Sequence, residues 1–573
     1  MPDGSSGRAV GVGVGVGVGV GVGVGVGVGV GGPSFSQVGS TVESMPSTAS
    51  SPRPLVPAEA VAEIAALAEN AVAEHRTSGV TWAIIGGHAH EQAILAHGAA
   101  GHRELSGGAP APGSSPMDRA TVSRIASMTK SFTAATILAL RDEGALRLDD
   151  PVSAHVPEAA GAFELATDDR EPTLRHLLTM DAGLITDNPW GDRQEAMTRE
   201  EFAAVLRGGL GHVHRPGTGF EYSNTGYALL GRVIDEVTGS DYASEIRRRF
   251  LDPLGLAATG WSAAEIDTGR LATGHRLADR TDASRFEPVP LDSPGVYGAM
   301  AGLFSTVDDI ATWVRFLAAA DAPDSASREA CPIATASRRE MQQLHRHQAL
   351  APLPAGEDGV SPGFDRVRGY GFGLVIEHFP DLGEVVSHSG GYPGYGSFMV
   401  WHRDSGVGVV ALANSKYAPA TPLSMQALRI LRRRAPELLA RSPLQAAPRA
   451  LEAARGALEW LCTQEDALAD AWFADNMDLD VPRPERRRRR DAALAAAGLE
   501  LADLAALRVE DARVLSRARL RWTLPARARG VDGAAGATGT AGPAGSEVSA
   551  LHVELLMDPR REGLVQSLET TSR

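Results

Sequence analysis

Three β-rich runs, 384-EVVSHS-389, 396-GSFMVWH-402 and 407-VGVVALAN-414, follow one another with only short glycine-bearing turns between them. Strands joined this closely can pair only in antiparallel fashion, because a parallel pair needs a crossover of a dozen or more residues. Near the other end, Val61, Ile64, Ala65, Leu67, Ala68 and Val72 recur at helical spacing, predicting a helix that starts after Pro57 and ends near Gly79. Strand-like runs Val80 to Ile85 and Gln92 to His97 follow, joined through Gly86 and Gly87 as in a hairpin. A helix over about 422–439 can pack on the later strands.

Between these ends lie mainly helical segments. An apolar run from Ser127, with Phe132, Ile137, Leu138 and Leu140, makes a helix that Gly144 can stop in the left-handed conformation. Further segments are 173-TLRHLLTMDAGL-184, 226-GYALLGRVIDEVTG-239 and 301-AGLFSTVDDIATWVRFL-317, the last capped by Ser305 or Thr306, with Asp308 and Asp309 matching the helix dipole. The expected fold is α+β: an antiparallel sheet built from both ends of one domain, flanked by helices, with an all-helical insertion. The domain should cover 55–440 and the insertion about 145–325.

At 573 residues the chain exceeds what one core usually serves. Beyond residue 443 the composition shifts to Ala, Arg and Leu. The alternating run 517-RARLRWTL-524, and a hairpin formed by 551-LHVELLMD-558 with 564-LVQSLETT-571, predict a small α+β accessory domain over 443–573 with a disordered linker at 530–547. Residues 1–54 carry a Gly-Val repeat and a Ser/Pro-rich stretch. The repeat can be read as an elastin-like leader, a poor signal or membrane segment, or translated repeat DNA; a disordered leader or one upstream of a working start at Met45 is expected.

The formal charge of −15 works against a nucleic-acid binder, whose affinity comes from clustered basic residues. No other run approaches a membrane span and the repeat makes a poor secretory h-region, so a cytoplasmic location is expected, with secretion as the alternative. The two cysteines, Cys331 and Cys462, suggest neither a disulfide framework nor a metal site. Three His-x-His pairs, His88/His90, His212/His214 and His345/His347, lack a visible third ligand and read as solvated loop residues. Arg486 to Arg490, after Pro484, read as a solvated helix face or interdomain linker.

Almost every cation is arginine: lysine occurs only at Lys130 and Lys416. A guanidinium keeps its proton in a protein, whereas an amine can lose one when desolvated. Ser127 and Lys130, three apart on a helix, share a face. To act as a base near neutrality, Lys130 must have its pKa lowered from about 10.4 by burial and the helix dipole, worth about 4 kcal/mol.

Ser127-x-x-Lys130, then Tyr222-Ser223-Asn224 ahead of a helix, then His388-Ser389-Gly390 on a strand resemble, in that order, the motifs of the penicillin-recognising serine hydrolases. The likeness is to class C β-lactamases and their D-alanyl-D-alanine carboxypeptidase and esterase relatives, over about 57–440. It implies that Ser127 is acylated, that Lys130 takes or relays its proton, and that Tyr222 is a second base. Asn224 would bind the substrate's acyl-side amide, and Ser389 and Gly390 would line the substrate site. His388, which the resemblance makes a fourth catalytic residue, stands where class C β-lactamases usually have lysine, a substitution similar to that of the carboxypeptidases. The amides of Ser127 and Gly391 would form the oxyanion hole. The implied activity is hydrolysis of an ester, an amide or a D-amino-acid peptide through an acyl-enzyme. The alternative is a binding or sensor module of the same fold that acylates slowly or never. The resemblance requires no metal or other cofactor; the partner is a small-molecule or peptide substrate, and the oligomeric state stays open.

Overall fold

The computed structural model describes residues 56–163, 165, 168–277, 282, 285–322, 332–348, 366–416, 418–440, 444–527 and 550–572. The leader, the 530–547 linker and Cys331 lie outside the described residues.

Helix α1 (Ala58–Ala73) leads into β1 (Gly79–Ile85) and β2 (Ile94–Gly101), and the helices α2 (Thr129–Asp142), α3 (Asn224–Thr238) and α4 (Val307–Ala318) follow. The chain then builds β3 (Arg346–His347), β4 (Val367–Tyr370), β5 (Val375–Phe379), β6 (Gly383–Tyr392), β7 (Tyr395–His402) and β8 (Gly408–Ala413), and ends this part with α5 (Ala420–Arg434). The eight strands form one sheet in the order β2-β1-β8-β7-β6-β5-β4-β3. Every pairing is antiparallel, and β1 meets β8 with Val80 opposite Ala413, so strands from the two ends of this part of the chain pair with each other as expected.

Strands β1, β7 and β8 are buried throughout because both faces of the sheet are covered. Trp82, Ile84, Val409 and Ala411 join α1 and α5 in one core. Their neighbours Ala83, Ile85, Val410 and Leu412 point the other way, into a core shared with Phe132, Ile137 and Trp313 of α2 and α4. A strand sandwiched in this way reads as an unbroken apolar run. Each large side chain so buried contributes about 1.5–3 kcal/mol.

Several boundaries differ from the sequence reading. Helix α1 stops at Ala73, six residues short of Gly79, because His75 takes a left-handed conformation and the chain turns into β1. The insertion is not purely helical: His275–Leu277 pairs with Phe286–Pro288, and Phe304–Ser305 pairs with Ser123–Arg124. Thr306, not Ser305, caps α4, accepting from the Asp309 N–H. Strands β4 and β5 were not anticipated.

Residues 448–572 build a separate core around Trp460, Leu520, Trp522, Leu551, Val553 and Leu555. Four antiparallel strands, Arg513–Ser516, Arg519–Pro525, Ala550–Met557 and Val565–Ser572, carry it together with the helices Pro448–Thr463 and Arg483–Ala497. Leu520 and Trp522 face inward, while Arg519 and Arg521 face out and pair with Glu554. No helix among the described residues is long and apolar enough to cross a membrane.

Candidate active site

Ser127 lies in the single 3-10 turn Ala126–Met128 that leads into α2. Ala126 is held at φ +50°, a left-handed conformation that costs a non-glycine residue about 1–2 kcal/mol. Surrounding groups hold it there. Ser397 on β7 donates to the Ile125 carbonyl at 2.7 Å, and the Ile125 N–H donates to the Leu303 carbonyl at 2.9 Å. Gly390 on β6 packs against the same carbonyl: a Cβ there would lie 2.2 Å from Ile125 O and 2.1 Å from Ser397 Oγ. Only glycine lets β6 come this close to the turn. Gly391, next along, has open space on its Cβ side and lines the pocket with Ser127.

Second in α2 and one turn on from Ser127, Lys130 is fully buried. Its Nζ donates to Ser127 Oγ at 3.1 Å, Asn224 Oδ1 at 2.8 Å and the Met300 carbonyl at 3.1 Å, and lies 5.0 Å from the Tyr222 ring centroid. Burial pulls its pKa down to about 7, against the opposing pull of Asp187, Asp192 and Glu195. The sequence argument asked for a shift of this size and sign.

Tyr222 sits beside this pair and hydrogen-bonds with Ser127, yet desolvation raises its phenol well above the ordinary value. It therefore rests as a proton-bearing phenol. Asn224 starts α3 behind Ser223, whose hydroxyl accepts from the Gly226 N–H at 3.2 Å. The Asn224 amide is already engaged: Oδ1 accepts from Lys130, and Nδ2 donates to Asn188 Oδ1 at 2.8 Å. Its backbone N–H donates to Asp187 at 2.7 Å. With 1% of its surface exposed it orients Lys130 and does not line the pocket, in contrast to the substrate contact expected of it.

His388 is likewise behind the pocket wall. A carbonyl can only accept, so Nδ1 carries the proton it gives to Ser389 O at 2.6 Å, and Nε2 accepts from the Tyr370 hydroxyl at 2.9 Å. Burial, reinforced by the charge of Lys130, pulls the imidazole down to about 3, so it stays neutral. Strand alternation then turns Ser389 and Gly391 toward the pocket. Of the four residues expected to be catalytic, Ser127, Lys130 and Tyr222 are brought together and His388 lies behind the pocket wall, while Ser389, Gly390 and Gly391 line the pocket.

The pocket, about 540 Å³, contains residues that sequence reasoning missed: Asp192, Phe220, Gln348, Arg368 and Lys416. Both lysines of the chain thus belong to this site. Burial raises Asp192 to about 6, opposed by the charges of Lys130 and Lys416. The segment carrying Asp187, Asp192 and Glu195 is tied to the serine turn by Arg124, whose Nη2 lies 2.8 Å from Glu195 Oε1, both side chains fully buried. Arg124 also stacks on the Tyr392 ring, 3.9 Å from its centroid.

The His-x-His pairs are dispersed. His90 is buried, so it is a packed side chain and not a solvated one, whereas His345 stacks on Phe372 and stays exposed. No group of metal-binding residues occurs among the described residues.

A two-sided antiparallel sheet with a serine and a buried lysine at the start of the helix packed on it is the arrangement of the β-lactamase and penicillin-binding protein fold. Residues 64–432 match the family model described as Beta-lactamase, and the chain belongs to that family. It is 29% identical over 305 residues to Protein flp of Staphylococcus aureus (strain MW2), covering 52% of this chain and 53% of flp. It is 25% identical over 357 residues to Penicillin-binding protein 4* of Bacillus subtilis (strain 168), covering 60% of this chain and 69% of that protein. The chain thus spans about half the length of flp.

Among solved structures, the octameric penicillin-binding protein homologue from Pyrococcus abyssi superposes with a TM-score of 0.52 at 20% identity, covering 89% of this chain and 99% of that one. EstCE1, a hydrolase with promiscuous acyltransferase activity, superposes with a TM-score of 0.51 at 20% identity, covering 65% and 98%. At such identities the likeness is one of fold.

Proposed function

We propose that the protein is a serine hydrolase that forms an acyl-enzyme on Ser127 with an ester, an amide or a D-amino-acid peptide. The observation that carries this reading is the Lys130 amine, fully buried, 3.1 Å from Ser127 Oγ and able to exist unprotonated near neutral pH. Neutral Lys130 takes the Ser127 proton as Oγ attacks the substrate carbonyl. The amides of Ser127 and Gly391 receive the developing oxyanion, a contribution of about 3–4 kcal/mol per donor. Collapse expels the leaving group, which takes a proton from the Tyr222 phenol while Lys130 returns one to Tyr222. Water then attacks the acyl carbon, its proton passing through Tyr222 to Lys130, and as the C–Oγ bond breaks Lys130 returns that proton to Ser127 Oγ and the acid product leaves.

Similarity to a penicillin-binding protein supports acylation by strained or D-amino-acid amides. The presence of the whole proton-handling set weighs against a module that only binds. Short-chain p-nitrophenyl esters, a D-Ala-D-Ala peptide and a chromogenic cephalosporin, each assayed with wild type and Ser127→Ala, test the reading. Ester hydrolysis lost in Ser127→Ala is expected, with poor cephalosporin turnover. Turnover that survives Ser127→Ala, or none with any of the three, would count against it.

A further inference from the structure

Besides Ser127, Lys130 is held by Asn224 Oδ1 and the Met300 carbonyl, two acceptors from segments far apart in the chain. Both lead back to Asp187. Its carboxylate sits against the start of α3, where Oδ1 accepts the Asn224 N–H at 2.7 Å and Oδ2 the Thr225 N–H at 2.8 Å. The Ser223 hydroxyl takes only the Gly226 N–H, so Asp187 caps the rest of the first turn from outside the helix. Its neighbour Asn188 accepts from Asn224 Nδ2 at 2.8 Å, which leaves the Asn224 amide oxygen turned to Lys130.

The second path runs through hydroxyls. Thr225 donates its one hydroxyl proton to Asp187 Oδ2 at 2.6 Å, so the Tyr297 hydroxyl, 2.8 Å away, is the donor to Thr225. Tyr297 is fully buried and opens the short helix Gly298–Ala301, its carbonyl accepting the Met300 N–H at 3.1 Å. The Trp190 ring, from the same segment as Asp187, stands edge-on to Tyr297 at 5.7 Å. A buried polar chain of this kind fixes position, because each member deprived of its partner costs about 1–3 kcal/mol. Asp187 does not line the pocket, so it acts on the chemistry through these groups.

We infer that Asp187 is a positioning residue for acylation: one carboxylate fixes both acceptors that keep Lys130 on Ser127, Asn224 directly and Met300 through Thr225 and Tyr297. The inference rests on the reading of Ser127 as nucleophile and Lys130 as base.

The rate at which a fluorophosphonate labels Ser127 in the full chain tests it, followed through the acid limb and on the plateau above. On the plateau, where Lys130 is already neutral, folded Asp187→Asn should label about 10²-fold more slowly than wild type, the scale of a misplaced catalytic group. Its acid limb should move to lower pH. The charges facing Lys130 are Asp187, Asp192 and Glu195, with His388 neutral, and the variant removes the one that most favours the ammonium. A cap with no wider role would lower stability and leave both readouts alone.

Tyr297→Phe and Thr225→Val cut only the path to Met300 and keep the charge. Each should slow labelling by about tenfold, the scale of one hydrogen bond, with the limb unmoved. The double variant should lose no more than either single one, because both break the same chain. Thr225→Ser, which keeps the hydroxyl, should recover the wild-type rate. Should Asp187→Asn not fold, the Thr225 and Tyr297 variants decide alone. Plateau labelling of Asp187→Asn at the wild-type rate, an acid limb that stays in place, additive losses in the double variant, or Thr225→Ser as slow as Thr225→Val would each overturn the role of Asp187 and leave acylation of Ser127 intact. Wild type that takes no label overturns the proposed function, and this role with it.

Discussion

The amine of Lys130 lies 3.1 Å from the hydroxyl of Ser127 and has no exposure to solvent, its other contacts being Asn224 Oδ1 and the Met300 carbonyl. Acceptors on three sides and burial pulling the pKa to about 7 leave the amine in balance between its two protonation states. Hydrolysis that depends on the neutral form should rise as pH passes through about 7 and level off above it, read as the acid limb of kcat/KM. Lys130→Arg keeps the charge but cannot lose a proton, and should lower kcat/KM by about 10²- to 10⁴-fold.

Asp192 moves that limb. Its carboxylate favours the Lys130 ammonium, so it holds the amine's pKa above the value burial alone would set. Asp192→Asn should shift the acid limb to lower pH. A limb that stays in place, or moves up, would show that another group governs it.

Gly390 and Gly391 separate packing from chemistry. Alanine at Gly390 meets Ile125 O at 2.2 Å, so Gly390→Ala must displace β6 or the serine turn. Overpacking of this kind costs about 1–3 kcal/mol, and both the thermal midpoint and the activity should fall. Gly391→Ala points its methyl into open space, so its midpoint should match wild type while kcat/KM drops. Equal midpoints for the two variants would contradict the close approach of β6.

Tyr370 and His388 form a buried pair on adjacent parts of the sheet, with the Tyr222 ring edge-on to Tyr370 at 6.4 Å. Tyr370→Phe strips His388 Nε2 of its donor and should destabilise the fold by about 1–3 kcal/mol, measured by urea denaturation. Because His388 is neutral with or without that donor, the pH limb near 7 should stay where it is while activity falls.

Legibility in the sequence followed locality. Ser127 and Lys130 are three residues apart across the turn that opens α2, so helical spacing puts them together, while Ser389 to Gly391 lie on one strand and were assigned through the resemblance of their motif. Asp187, Asp192 and Lys416 come from loops, and Arg368 and Tyr370 from a four-residue strand. Only tertiary packing brings them to the site. A signal was present at 367-VRGYGFGLVIEHF-379, where β-branched and aromatic residues flank three alternating glycines, and it would have revealed β4 and β5. Asn224 and His388 are both turned into the wall behind the pocket, a depth that their motifs do not encode. The arginine run misled because guanidinium groups can bury their stems and satisfy carbonyls inside a core, as Arg490 does.

The central claim is that Ser127 becomes acylated, and mass spectrometry of protein treated with a fluorophosphonate or a fluorescent penicillin tests it most directly. A single adduct on the peptide containing Ser127, absent from Ser127→Ala and strongly slowed in Lys130→Arg, is the predicted result. Folded wild-type protein that takes up neither reagent, or an adduct that persists in Ser127→Ala, would contradict the account.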